Sequence, residues 1–171
     1  MHDNINKPRL FIDLDDVIVD LWRFIREYHN MPHDAAKIDK HWLTVKDIPR
    51  LFKKLKPIPG SFEFVNTISE QYRDTHYIGF LTSIPKPIGP MITADQDKRE
   101  WVKRFISDHV PVHTIIGGEH KCQYVNGPTD ILIDDLYRNI EAWNNKGGIG
   151  VHHTSFENSL QKLSEIIVDT T

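Results

Sequence analysis

The sequence predicts an α/β protein in which helices cover both faces of a central parallel sheet. Five short apolar runs recur, at 9–15, 77–83, 113–118, 130–135 and 148–153, each closing in polar or turn residues. The segments between them have helical rather than alternating spacing, and continuous apolar strands joined by helices mark a sheet buried on both sides. The gap from residue 21 to 76 is far longer than one crossover helix needs, so part of it is expected to be an insert. With 171 residues the chain suits one core domain plus a small inserted subdomain.

Taken in order, RLFIDLD at 9–15 opens the sheet as a buried strand. Residues 21–74 have little strand character, separated prolines and one short helical stretch, and read as a small helical cap with a return helix; residues 1–20 and 75–171 then form the core. The return helix is SFEFVNTISEQY, whose Val65, Ile68 and Tyr72 share a face behind a Pro-Gly-Ser start. YIGFLTS at 77–83 is the second strand, and SIPKPIGPMITAD at 83–95 reads as a Pro-rich loop without secondary structure. Asp95 is placed to cap a helix that turns Trp101, Val102, Phe105 and Ile106 inward. HTIIGG and DILIDD supply the third and fourth strands. GGIG at 147–150 is a turn before the fifth strand, since it opens no helix as a dinucleotide fingerprint must. SFENSLQKLSEII closes the chain as a packing helix through Phe156, Leu160, Leu163 and Ile167.

Charge and composition exclude several roles. Lys and Arg total 21 against 24 for Asp and Glu, a net charge of -3, so no broad basic field exists to grip long nucleic acid. A small anionic substrate needs only a few local cations and stays open. No apolar run approaches the roughly 20 residues that span a bilayer, so no membrane role is expected. The single Cys122 can form no internal disulfide and MHDNINKPRL has no apolar signal core, which points to a reducing, cytoplasmic setting. The histidines at 109, 113, 120, 152 and 153 fit no compact zinc spacing.

Ligands of open parallel sheets bind beyond the carboxyl ends of the strands, and there the polar residues gather. Asp13 and Asp15 end the first run, Thr82 and Ser83 the second, Asp134 and Asp135 the fourth. Residues two apart on an extended chain point the same way, so Asp13 and Asp15 can face one pocket. Crowded carboxylates raise one another's pKa, and a hard divalent cation, best Mg2+, is their natural compensation. A single acid of this kind could instead cap the following helix; pairs at two strand ends favour the site.

These residues resemble the haloacid dehalogenase (HAD) superfamily. D-L-D-D-V at 13–17, T-S at 82–83 and L-I-D-D at 132–135 look like its motifs. The likeness is greatest to the 5'(3')-deoxyribonucleotidases, through Asp13 to Leu21, Pro57 to Gly60, Leu81 to Ser83 and Lys98 to Val102. The resemblance implies a three-layer Rossmann-like core with a helical cap after the first strand. It also implies a magnesium-dependent phosphomonoester hydrolase acting through an aspartyl-phosphate on nucleoside monophosphates. Asp13 would be nucleophile and metal ligand. Asp15 would be acid and base, with its carbonyl on the metal. Thr82 and Ser83 would bind phosphate, and Asp135 would bind the metal, with Asp134 behind it or as an alternative ligand. Lys121 and Lys98 compete for the phosphate-binding lysine role, with Lys121 favoured by its place before the fourth strand.

Departures from the family pattern are Asp16 in place of Gly, and Leu21 followed by Trp22 in place of Phe. Leu21, Trp22 and Trp42 are candidate pocket residues, and Trp22, Tyr28, Trp42 and Phe52 could form an aromatic wall for a base; core packing is the alternative for each. A second small phosphoester such as a sugar phosphate, or a catalytically silent binding protein, are the competing functions. A homodimer whose second subunit helps enclose the site is compatible with so small a cap.

Overall fold

RLFI is apolar after its first residue, and in the computed structural model, which describes residues 7–37 and 41–168, it forms β1 (Arg9–Ile12) at the centre of the sheet. β2 (Tyr77–Ile84), β3 (Val112–Ile116), β4 (Ile131–Asp134) and β5 (Ile149–His152) complete it in the order β3-β2-β1-β4-β5, every pairing parallel. The helices are α1 (Leu21–Tyr28), α2 (Trp42–Val45), α3 (Leu51–Lys54) and α4 (Ser61–Tyr72), all between β1 and β2, then α5 (Ala94–Phe105), α6 (Tyr137–Asn145) and α7 (Phe156–Val168).

Alternation along the strands builds a core on each face. Leu10, Ile12, Ile131 and Ile133 pack with Phe64 and Val65 of α4, Trp101 and Val102 of α5 and Leu163 of α7. Phe11, Leu81 and Leu132 point the other way, onto Ile140 and Trp143 of α6. Both layers therefore follow from the apolar runs, and the predicted inward faces of α4, α5 and α7 are buried or partly buried.

The chain runs outward from β1 through β2 to β3, then returns to place β4 on the other side of β1. Adjacent strands whose connections diverge leave a crevice at their carboxyl ends. Here that crevice lies between β1 and β4, where the Asp13 N–H donates to the Ile133 carbonyl at 2.9 Å. At the opposite end, the Arg9 guanidinium pairs with Asp130 at 2.7 Å and clamps the start of the two strands.

Two local expectations need correction. Residues 83–95 are not free of secondary structure, because a 3-10 turn over Gly89–Thr93 runs directly into α5. Pro90 stands at its start, where a missing N–H costs nothing and a fixed φ helps. As a result the N-cap of α5 is Thr93 rather than Asp95. Asp95 lies inside the first turn, where it accepts from Arg99 at 3.0 Å and from the Thr114 hydroxyl at 2.6 Å.

Candidate active site

Beyond Ile12 the chain leaves the sheet in a tight turn. The Leu14 carbonyl accepts from the N–H groups of Val17, Ile18 and Val19 at 3.2, 2.9 and 2.9 Å, and Asp16 N–H donates to Val19 at 2.7 Å. Asp16 has φ 58°, the left-handed conformation that Gly adopts freely and Asp tolerates better than most residues. Its carboxylate is put to use, for Oδ1 accepts the Trp22 N–H at 2.7 Å. Asp20 caps α1 by accepting from Arg23 N–H at 3.2 Å. Both acids left over from the motif therefore satisfy the N-terminus of α1.

The returning segment is tied to the same turn. Ile58 N–H donates to the Ile18 carbonyl at 2.9 Å, and the Ser61 hydroxyl donates to it at 3.0 Å. Gly60, at φ 90°, starts α4 in a conformation suited to glycine.

Asp13 and Asp15 line one cavity of about 630 Å³ together with Asp16, Asp135, Ser83 and Lys37. Two fully buried lysines divide the acids. Lys98 of α5 donates to Asp15 Oδ2 at 2.6 Å and to Thr82 Oγ1 at 2.8 Å. Lys121, from the 3-10 turn Gly118–Tyr124, reaches Asp13 Oδ1 at 2.8 Å and Asp134 Oδ2 at 2.6 Å. Each of the two lysines stands behind a different carboxylate. Thr82, itself buried, accepts from Lys98 and keeps its own O–H as a donor, while Ser83 stands on the cavity wall.

Asp134 and Asp135 differ in their engagement. Asp134, fully buried, accepts from Lys121, from Leu136 N–H at 2.8 Å and from the Asn139 amide at 3.1 and 3.0 Å. Asp135 opens onto the cavity and pairs with Lys37 at 2.7 Å. Lys37 also pairs with Asp16 Oδ2 at 2.5 Å. Lys37 and Asn139 were not apparent from the sequence. Asn139 could have been suspected as a polar residue on the buried face of α6; Lys37 lies in a stretch without periodicity.

Burial dominates the electrostatics. It pushes Asp15 upward, with Lys98 opposing and Asp13 adding to the rise. It pushes Asp135 up to about 6, Lys37 opposing and Asp13 contributing. Asp134 is likewise driven up by burial against Lys121. Burial works against the Lys121 charge, but Asp13 and Asp134 outweigh it and raise its pKa above the lysine range.

Carboxylate oxygens of Asp13, Asp134 and Asp135 lie within 4.8 Å of one another, and among the described residues no histidine joins such a cluster. An all-oxygen set of this kind suits a hard cation such as magnesium. The donors around Asp134 leave Asp13 and Asp135 as the more available ligands. Asp15 Oδ1 is also buried without a hydrogen-bond partner, a polar atom poised for a group that enters the cavity.

The apolar wall of the cavity contains Leu21, Trp22, Trp42 and Phe52. Tyr28 departs from the expected aromatic wall: it is 54% exposed and stacks on Phe24 outside the cavity, because α1 turns that residue to solvent. Lys86, His120 and Arg138 also line the cavity.

The parallel sheet and the paired acids at its switch point, together with the family model that the chain matches, place the protein among the HAD-type phosphatases. Two solved structures share the fold. A hydrolase from Streptococcus pneumoniae TIGR4 aligns at 14% identity and a TM-score of 0.50, covering 92% of this chain and 98% of its own. A HAD-family enzyme from Bacteroides thetaiotaomicron, solved as a magnesium complex, aligns at 13% identity and 0.51, covering 86% and 93%. The chain belongs to the family described as 5' nucleotidase, deoxy (pyrimidine), cytosolic type C protein, whose model matches residues 7–163. A search of curated proteins finds no match. Among the described residues, no helix is long and apolar enough to cross a membrane.

Proposed function

We propose that this phosphatase hydrolyses (deoxy)nucleoside monophosphates with magnesium and an aspartyl-phosphate on Asp13, residues 21–74 serving as the cap. The observation that carries this reading is the pair Asp13 and Asp15, two residues apart on one cavity wall, each backed by its own buried lysine. Two carboxylates with separate cations can hold separate protonation states, which nucleophilic displacement with acid–base assistance requires.

In the first half, an Asp13 carboxylate oxygen attacks phosphorus and the bond from phosphorus to the ester oxygen breaks. Asp15, favoured in its protonated form by burial, gives its proton to the departing alkoxide. In the second half, Asp15 as carboxylate takes a proton from water as the water oxygen bonds to phosphorus. The bond to Asp13 breaks, freeing phosphate and the original carboxylate. Thr82 and Ser83 donate to phosphoryl oxygens, and Lys98 and Lys121 supply positive charge beside them. Magnesium, held by Asp13 and Asp135 with Asp134 behind them, would neutralise charge on the phosphoryl group.

Trp22 and Trp42 offer flat apolar faces for a base, and membership of a family of 5' nucleotidases described as deoxy (pyrimidine) supports that substrate class. Release of inorganic phosphate from deoxynucleotides, ribonucleotides and sugar phosphates, with and without magnesium, tests the reading in wild type and Asp13→Asn. Hydrolysis of nucleotides that needs both magnesium and Asp13 is expected. Preference for sugar phosphates would overturn the substrate, and magnesium-independent turnover would overturn the cofactor.

A further inference from the structure

The bridge from Asp16 through Lys37 to Asp135 has no part in the chemistry above. Lys37 belongs to the stretch that follows α1, and that stretch is anchored at its base. The Arg26 guanidinium of α1 donates to the His33 carbonyl, and Ala35 N–H donates to Pro32 at 3.1 Å. From there the Lys37 side chain reaches the cavity, its ammonium 2.5 Å from Asp16 and 2.7 Å from Asp135. The two carboxylates differ in one respect. Asp135 belongs to the acid trio suited to a cation, and Asp16 does not.

We infer that Lys37 is a built-in counter-ion that competes with the divalent cation for Asp135, so that the segment carrying it responds to whether the metal site is filled. The inference rests on the metal site proposed above. A cation bound at Asp135 and an ammonium at hydrogen-bond distance from the same carboxylate repel one another, and Lys37, exposed where the Lys121 beside Asp13 is buried, is the one free to withdraw. Lys37 can yield without being stranded, because Asp16 still holds it. Asp16 is itself fixed by its left-handed backbone and by the Trp22 N–H, so the ammonium swings about a stationary partner. Without a cation, the same lysine joins the core acid Asp135 to the first part of the cap. Linkage makes the competition measurable from the other side: whatever cation binding costs the Lys37 bridge, removing the Lys37 charge returns to cation binding.

Mn2+ alone is the probe, titrated into the full chain and followed by the paramagnetic resonance of the free ion, without substrate or turnover. Wild type should bind one ion, and Asp135→Asn should lose most of that affinity. Lys37→Met keeps the aliphatic stem and removes the charge, and should bind Mn2+ about tenfold more tightly. Lys37→Gln should match it, while Lys37→Arg should stay within about twofold of wild type because it keeps the charge. A merely structural lysine would weaken binding when replaced, not tighten it. Unchanged or weaker binding in both neutral variants, with Asp135→Asn still impaired, overturns the counter-ion while sparing the site. Binding that is absent from wild type and both neutral variants, or indifferent to Asp135→Asn, overturns the metal site and this inference with it.

Discussion

Lys98 and Asp15 meet at 2.6 Å although one lies on α5 and the other in the turn after β1, 83 positions apart. Lys98 is 2% exposed and also sits 4.5 Å from the centre of the Phe52 ring. Its counterpart Lys121 holds Asp13 and Asp134, both buried. The two lysines should fail differently. Lys98→Met is expected to lower kcat by about a hundredfold with a smaller loss of stability than Lys121→Met, since Lys98 holds one carboxylate and that one is 20% exposed. Lys121→Met leaves two buried carboxylates without their cation and should also cost about 3 kcal/mol of stability. Phosphate-release kinetics and urea unfolding of both variants check the contrast.

Asp16 combines an unfavourable backbone with favourable side-chain contacts. Asp16→Ala keeps the left-handed φ, loses the Trp22 and Lys37 contacts, and should lower unfolding stability by about 2 kcal/mol. Asp16→Gly loses the same contacts but relieves the backbone, so its loss should be about 1 kcal/mol smaller. Urea midpoints of the three proteins decide it; equal losses would mean the φ costs nothing.

Gly148 lies at the end of the sheet away from the acids. A Cβ there would stand 2.3 Å from Trp143 Nε1 and 3.1 Å from the Asp130 carbonyl, the two atoms already hydrogen bonded to each other. Trp143 is fully buried and has nowhere to go. Gly148→Ala should therefore cost about 3 kcal/mol while the kcat of the folded fraction is unchanged, as thermal unfolding and kinetics on purified protein will tell.

His153 gives stability a pH dependence of known sign. Burial, helped by His152 and Lys162, pushes its imidazole down to about 4 from an ordinary 6.5. Above pH 6.5 neither folded nor unfolded chain protonates it. As pH falls from 6.5 to 4 the unfolded chain takes the proton first, so stability is lost across that window, by about 2 kcal/mol after solvent screening. Asp135, pushed up to about 6, acts in the opposite direction, since protonation there favours the folded state as pH falls. The check is accordingly a difference: urea stability of wild type minus His153→Gln should shrink from pH 7 to pH 4.

The strands were legible because each centres on a short apolar run that closes in polar or turn residues, and the long helices because their inward residues recur at helical spacing. Acids at the ends of β1 and β4 were legible for the same reason: a charge that interrupts an apolar run is conspicuous. The Gly89–Thr93 turn was hidden by its own Pro90 and by Pro85 and Pro87 before it, which read as a loop although Pro fits the start of a helix. Tyr28 had the right chemistry and the wrong face, a distinction decided by how α1 sits on the core. Lys37 was invisible because its importance depends on partners 21 positions before it and 98 after it. Asn139, likewise, matters only once α6 has been packed against β4, where its amide reaches Asp134.

The single oxygen of Leu14, with three amide hydrogens converging on it, also separates two kinds of tolerance in this chain. Before it, Asp13 is held to the sheet through its N–H on Ile133; after it, Asp15 stands in a turn whose N–H groups at Val17, Ile18 and Val19 are satisfied before α1 begins. The chain after α1 therefore hangs from a closed turn instead of pulling on Asp13 and Asp15. Lengthening or reshaping the stretch after α1 alters what the cavity admits while the spacing of the two carboxylates stays as the strand end and the turn set it.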